Sequence, residues 1–252
     1  MLEWVNVVKA QAYFVHIPKT AGNSVRDALR REKLLSNRGY DKKERDHHFG
    51  VKFSSRAGSS QQHTENPYFP CYLDTEEYKS SISFTVIRNP FDLLVSYYCH
   101  NPQPKDLGWA NSRNYHGFKT FEQFIKFYCT EPPAKWHVPH LSKNLFGQIF
   151  DEEGILRVDY AIYYENLNAG LRELKGILRP GSNKKIRILN KLNRSKLRAK
   201  KPYQEFYDKE TRKLVEEKCS WELDTFGYAF NCSNAQTLIN LNKHITAEET
   251  SK

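Results

Sequence analysis

AYFVHIPKTAGNSV, residues 12–25, reads as a buried strand that runs into a phosphate-binding turn and then a helix. Ala12, Tyr13, Phe14, Val15 and Ile17 form a short apolar run rich in β-branched and aromatic residues, which suits the interior of a parallel sheet. Pro18 ends that run. Lys19, Thr20, Ala21, Gly22, Asn23 and Ser24 then supply an ammonium, hydroxyls and a pliable backbone where a helix begins, so that unpaired amide groups and the helix dipole can meet an anion. The spacing is not that of a Walker A loop, GxxxxGK[ST], whose lysine comes last, beside the hydroxyl that holds magnesium. Here the lysine comes first and one glycine follows it. Lys19 is therefore placed to reach the leaving end of the anion from the strand side, while Thr20 to Ser24 wrap the phosphate nearer the nucleoside. The competing reading is an ordinary strand-to-helix turn with a solvated lysine.

A second strand-turn-helix follows the same grammar. ISFTVI, residues 82–87, is another short apolar run, and Arg88, Asn89 and Pro90 lead into FDLLVSYY. Leu93, Leu94, Tyr97 and Tyr98 mark a helix face there, and Pro90 fits the first helical turn. Arg88 sits at the carboxyl end of the strand and Ser96 two turns into the helix, so that a guanidinium and a hydroxyl converge on one anion. A salt-bridged arginine and a surface serine are the plainer alternative.

Together, HIPKTAGNSV and FTVIRNPFDLLVSYY resemble the paired nucleotide motifs of sulfotransferases that use 3′-phosphoadenosine 5′-phosphosulfate, in particular the branch that includes carbohydrate sulfotransferases. A third stretch, RAKKPYQEFYDKETRKLVEEKCSWELDTFGYAF at residues 198–230, is similar to the family's closing segment: a basic loop, a tyrosine-rich helix start and a terminal FGY. The resemblance implies an α/β fold, a P-loop NTPase-like central parallel sheet flanked by helices, with residues 1–232 as a single domain and 233–252 as a polar tail or short helix. It implies that Lys19, Thr20, Ala21, Gly22, Asn23 and Ser24 hold the 5′-phosphosulfate, and that Arg88 and Ser96 hold the 3′-phosphate. Arg198, Lys201 and Tyr203 would close over the 3′-phosphate and adenine, as the family's late loop does. Tyr163 stands where the family often has an arginine, just before the aromatic-Glu-Asn-Leu portion.

Sulfuryl transfer to a hydroxyl requires a base, and a histidine near neutral pKa is the usual one. In the resembled family the base often lies a little over twenty residues ahead of the second motif's arginine. His63 precedes Arg88 by 88 − 63 = 25 positions, with His47 and His48 as runners-up further upstream. The implied reaction is an in-line displacement, with His63 taking the acceptor's proton and Lys19 neutralising charge on the bridging oxygen. It needs no metal, because a sulfuryl group carries less charge than a phosphoryl group. A phosphoryl transferase with an atypical loop, and a non-catalytic polyanion-binding module, are the alternative readings.

Composition agrees with an anionic partner. The chain has 252 residues and a net charge of +10, enough length for one α/β domain with a substantial core. Residues 184–201 contain nine basic residues and no acidic one, a segment that draws a polyanionic donor; a solvated basic face or a nucleic-acid patch is the alternative. Nothing resembles an RNA-binding signature or a zinc finger, so nucleic acid is not the expected partner. HVPH at 137–140 lacks a cysteine or carboxylate partner at a recognisable spacing and is not expected to hold a metal.

Further along, VDYAIYYENLNAGLRELKGIL at 158–178 predicts an extended Tyr160–Tyr164 and a helix with a core stripe of Leu171, Leu174 and Leu178. Phe121, Phe124, Ile125 and Tyr128 predict a helix near 121–129. Residues 41–70 and 101–117 read as loops and are the expected seat of acceptor specificity, with Tyr68, Tyr72, Trp109, Tyr115 and Trp136 available to stack on a sugar or planar ring. The resemblance implies an acceptor hydroxyl, of a carbohydrate or small molecule. LINL, within the polar end of the chain, is expected on a loosely attached terminal helix. Five cysteines without a CxxC read as reduced thiols. With no secretory apolar region before the first strand and no membrane-length apolar run, the expectation is a soluble, cytoplasmic chain. Many relatives in the carbohydrate branch are membrane-anchored in the secretory pathway, so this chain either departs from them or is a fragment.

Overall fold

The computed structural model of the chain describes residues 11–17, 19–34, 76–100, 118–130, 145–146, 149, 155–181, 198, 201–231 and 235–241. The two strand-turn-helix units form where the apolar runs place them: β1 (Ala12–Val15) leads to α1 (Gly22–Arg31), and β2 (Ile82–Ile87) leads to α3 (Pro90–His100). A single helical turn, α2 (Glu76–Lys79), precedes β2, and α4 (Phe121–Thr130) follows α3. β3 (Tyr160–Tyr163) passes through a 3-10 turn at Tyr164–Asn166 into α5 (Leu167–Leu178). A second 3-10 turn at Tyr203–Phe206 precedes α6 (Lys209–Lys218) and α7 (Ser220–Thr225), and β4 (Leu238–Asn240) comes last.

The sheet order is β1-β2-β3-β4, with the first three strands parallel and β4 antiparallel to β3. This α/β architecture, a mostly parallel sheet flanked by helices, bears out the expected fold class. Alternation along the strands sorts the core into two layers. Ala12, Phe14, Phe84, Val86 and Ile162 pack with Val25, Ala28 and Leu29 of α1 and Leu171, Leu174 and Leu178 of α5. On the opposite face Val15, Ile87, Ala161 and Tyr163 pack with residues of α3, α4, α6 and α7, among them Phe91, Leu94, Phe124, Tyr128, Val215 and Leu223. Strands buried on both sides explain why these runs are nearly continuous in apolar residues. Polar side chains inside β2 are all spoken for: Thr85 Oγ1 donates to the Val15 carbonyl at 2.8 Å, and Ser83 donates through N and Oγ to Asp159 Oδ2 at 2.8 and 2.7 Å.

Tyr163 has no charge role in this fold. It is wholly buried, and its hydroxyl donates to the Phe226 carbonyl at 3.3 Å. LINL departs from the helix expected of it. Leu238 and Ile239 extend the sheet as β4, in register with Ile162 and Ala161, because β3 would otherwise leave its outer backbone groups unpaired. Cys99, Cys129 and Cys219 are free thiols. Among the described residues no helix is long and apolar enough to cross a membrane.

Gly170 sets how closely α5 approaches the sheet. A Cβ there would lie 2.4 Å from the Thr237 carbonyl oxygen and 2.5 Å from Ile162 Cγ2, and the first of these is backbone that cannot swing aside. Gly170→Ala is expected to destabilise the fold by about 1–3 kcal/mol, the usual cost of overpacking, as read from the urea midpoint.

Candidate active site

The carboxyl ends of three parallel strands deliver Lys19, Arg88 and the Tyr164–Glu165 pair to one edge of the sheet, the usual ligand edge of an α/β fold. After β1 the backbone turns sharply. Lys19 and Ala21, neither a glycine, both adopt left-handed conformations, with φ of 68° and 66°. Such conformations cost on the order of 1–3 kcal/mol each and persist only where surrounding structure imposes them. Part of that imposition is Thr20, which is wholly buried and whose hydroxyl donates to the Ile17 carbonyl at 2.7 Å. Its one hydroxyl proton is thus directed inward, and what Thr20 can offer an anion is its backbone N–H.

The start of α1 is bare. Its N-cap is Ala21, which provides no side-chain cap, and no acidic residue lies in the first turn. α6 shows the opposite choice: Asp208 and Thr211 form a reciprocal capping box, with Glu210 in the first turn. An uncapped, acid-free helix start keeps its amide donors and positive dipole end for an anion. Gly22 makes room for the His16 ring, since a Cβ there would lie 1.9 Å from its Nε2 and the ring would have to move. Asn23 is exposed beside it and Ser24 is buried.

Lys19 is half-buried at this turn. Burial, and then the positive charge of Arg88, lower its pKa to about 8. Arg88 Nη1 donates to the Lys19 carbonyl at 2.9 Å, and the guanidinium carbon lies 4.2 Å from the centre of the Tyr164 ring. Its Nε and Nη2 meet Asp92 Oδ2 at 2.7 and 2.6 Å. The other carboxylate oxygen of Asp92 meets Arg198 Nη2 at 2.7 Å. Arg88, Asp92 and Ser96 are spaced four apart, so Asp92 and Ser96 share one face of α3, and Ser96 is half-buried there.

Behind this cluster, Asn89 joins three segments. Its backbone N–H donates to Glu165 Oε1 at 3.0 Å and its side chain donates to the Ala229 carbonyl at 3.0 Å. Tyr228 donates to Glu165 Oε2 at 3.1 Å, and Tyr203 donates to the Phe230 carbonyl, 3.5 Å from the Asn89 amide nitrogen. Part of Glu165 reaches solvent, but its carboxyl is set among protein groups: burial pushes its pKa up, and the hydrogen bonds from Asn89 and Tyr228 oppose that rise.

The expected site residues therefore fall into three groups. Lys19, Thr20, Ala21, Gly22, Asn23, Ser24 and Arg88 come together at one edge, and Arg198 joins them through Asp92. Tyr203 reaches the same neighbourhood through Asn89. Lys201 adjoins them, its carbonyl accepting from Arg198 Nε at 3.2 Å, while its exposed ammonium lies 3.8 Å from Glu205 and 5.6 Å from the Phe206 ring centre. His63, His47, His48, the HVPH pair, residues 41–70 and 101–117, and the aromatic residues Tyr68, Tyr72, Trp109, Tyr115 and Trp136 all lie outside the described residues, as does the 184–201 segment apart from Arg198 and Lys201. Sequence reasoning missed Asp92, Asn89 and Glu165. The four-residue step from Arg88 to Asp92 could have flagged the first, whereas Glu165 and Asn89 meet across 76 positions. Among the described residues no three His, Cys, Asp or Glu side chains gather into a metal-binding group.

The chain matches the sulfotransferase family over residues 8–229, and it belongs to that family. No curated protein and no solved structure shows significant similarity to it.

The Glu165 junction has a measurable consequence. Asn89 and Tyr228 are both buried, so removing their acceptor leaves two donors without one. Glu165→Ala is expected to cost about 1–3 kcal/mol in urea denaturation, and Glu165→Gln, which keeps an acceptor oxygen, clearly less.

Proposed function

We propose that this member of the sulfotransferase family moves a sulfuryl group from 3′-phosphoadenosine 5′-phosphosulfate to a hydroxyl of a carbohydrate or small molecule. The observation that carries the reading is Lys19: a half-buried lysine in a left-handed turn, beside the bare start of α1 and tied through its own carbonyl to Arg88. The described residues fit the donor's two anionic ends. Amide donors of residues 20–24 suit the 5′ side, and Arg88, Arg198 and Ser96 offer two guanidinium groups and a hydroxyl for the 3′-phosphate.

The bound donor supplies a sulfuryl group already activated by its phosphate leaving group. The chain's residues then orient and neutralise. The α1 amides fix the phosphate, and the Lys19 ammonium faces the oxygen on which charge develops as the bond to sulfur breaks. His63 takes the acceptor hydroxyl's proton as its oxygen attacks in line, and His47 and His48 are the other candidates for that task. Sulfuryl transfer carries less charge than phosphoryl transfer, so lysine and helix-terminal amides suffice in this mechanism. Removing one such stabiliser commonly costs about 10²–10³ in rate, and Lys19→Ala is expected to lose sulfate transfer from labelled donor by that factor.

Two binding measurements test the reading. In thermal shift, adenosine 3′,5′-bisphosphate without metal is expected to raise the unfolding temperature more than ATP with magnesium or a heparin-like polymer, since a ligand that binds only the folded state stabilises it. A larger shift with ATP and magnesium would favour a phosphoryl transferase, and one with the polymer alone a polyanion-binding module. The second is pH-dependent. Lys19 is charged below its pKa of about 8 and neutral above it, so affinity for the bisphosphate is expected to fall as pH rises through about 8. In Lys19→Ala that part of the pH dependence should vanish.

A further inference from the structure

We infer that Asp92 is a positioning residue that assembles the 3′-phosphate reader in advance, holding Arg88 and Arg198 side by side before any nucleotide arrives; the inference rests on the donor assignment above. The argument begins with donor geometry. A guanidinium has five N–H donors in a rigid plane. Arg88 spends its Nε and Nη2 edge on Asp92 Oδ2 and an Nη1 donor on the Lys19 carbonyl, and the Tyr164 ring covers one face of the plane. Three donors fix the orientation, and two N–H groups are left for a ligand.

Arg198 comes from a different part of the chain, yet its Nη2 sits 2.7 Å from the second oxygen of the same carboxylate, and its Nε donates to the Lys201 carbonyl at 3.2 Å. Two guanidinium groups this close repel each other unless an anion lies between them. Asp92 is that anion, with a side chain only 13% exposed, where screening by water is reduced. The family's late basic loop was expected to close over the nucleotide. In this chain Arg198 is already docked on α3 through Asp92, one helical turn from Ser96.

Asp92 bears a negative charge close to the site assigned to another negative group, so its effect on affinity has two possible signs. As a competitor it would weaken phosphate binding, and as a positioning group it would strengthen it. Arg88 favours the second, because Asp92 takes the Nε edge and leaves donors on both terminal nitrogens, while the Arg198 side chain keeps 26% of its surface exposed. The pair keeps a net positive charge after Asp92 is counted.

The test compares two nucleotides that differ only at the 3′ position, adenosine 3′,5′-bisphosphate and adenosine 5′-monophosphate, by calorimetric titration. The wild type should bind the bisphosphate more tightly. Asp92→Asn should weaken the bisphosphate about tenfold and change the 5′-monophosphate less than twofold, and Asp92→Glu should recover part of the loss. Arg198→Gln, on the more exposed side of the pair, should weaken the bisphosphate similarly, and the double variant Asp92→Asn with Arg198→Gln should lose little more than either alone. Unchanged or tighter bisphosphate binding in Asp92→Asn overturns the inference and identifies Asp92 as a competitor. An equal loss for both nucleotides in Asp92→Asn also overturns it, since general damage to the fold would not single out the 3′ end. If the wild type itself shows no preference for the 3′-phosphorylated nucleotide, the donor assignment fails and the inference with it.

Discussion

The guanidinium of Arg88 is the tie on which the site depends. It leaves the carboxyl end of β2, crosses to the Lys19 carbonyl of the neighbouring strand's turn, and meets the Tyr164 ring from the turn after β3 and the Asp92 carboxylate from α3. Three parallel strands and a helix are thereby fixed at one point. The left-handed Lys19 is the part least able to hold itself, since no glycine relieves its backbone and its ammonium is half removed from water. A hydrogen bond to its carbonyl from a charged donor is worth more than one from a neutral group, and it holds the turn open at the start of α1.

Charge follows from the same placement. Burial and the nearby guanidinium both disfavour the protonated ammonium of Lys19, which is why its pKa falls toward 8. An anion seated at the α1 start relieves that penalty by pairing with the ammonium. The turn leaves the Lys19 ammonium under an electrostatic penalty that an anion there would relieve, with no side-chain cap at the α1 start to displace.

Much of this was legible in the residues. β1 and β2 reveal themselves because strands buried on both faces leave continuous apolar runs, and the helices after them begin where Gly22 and Pro90 allow. α4 and α5 follow from aromatic and leucine stripes, with α4 ending at Thr130 and the extended run at 160 closing into a 3-10 turn at Tyr164. β4 was not legible, since three residues give too short a pattern to separate strand from helix, and its pairing is decided by β3. Asp92 is a first-turn acid on α3, and nothing local announces that Arg198 will share it. The Asn89 junction joins residues separated by 76, 114 and 140 positions, which no window along the chain brings together. Thr20 shows a subtler limit: its hydroxyl suits a phosphate by type, yet the turn directs it to Ile17.

A crystal structure of the chain with adenosine 3′,5′-bisphosphate tests the central claim most directly. The account predicts the 5′-phosphate on the amides of residues 20–24 with the Lys19 ammonium beside it, and the 3′-phosphate against Arg88, Arg198 and Ser96. A nucleotide bound away from the carboxyl ends of β1 and β2, or seated with its two phosphates exchanged, would contradict it.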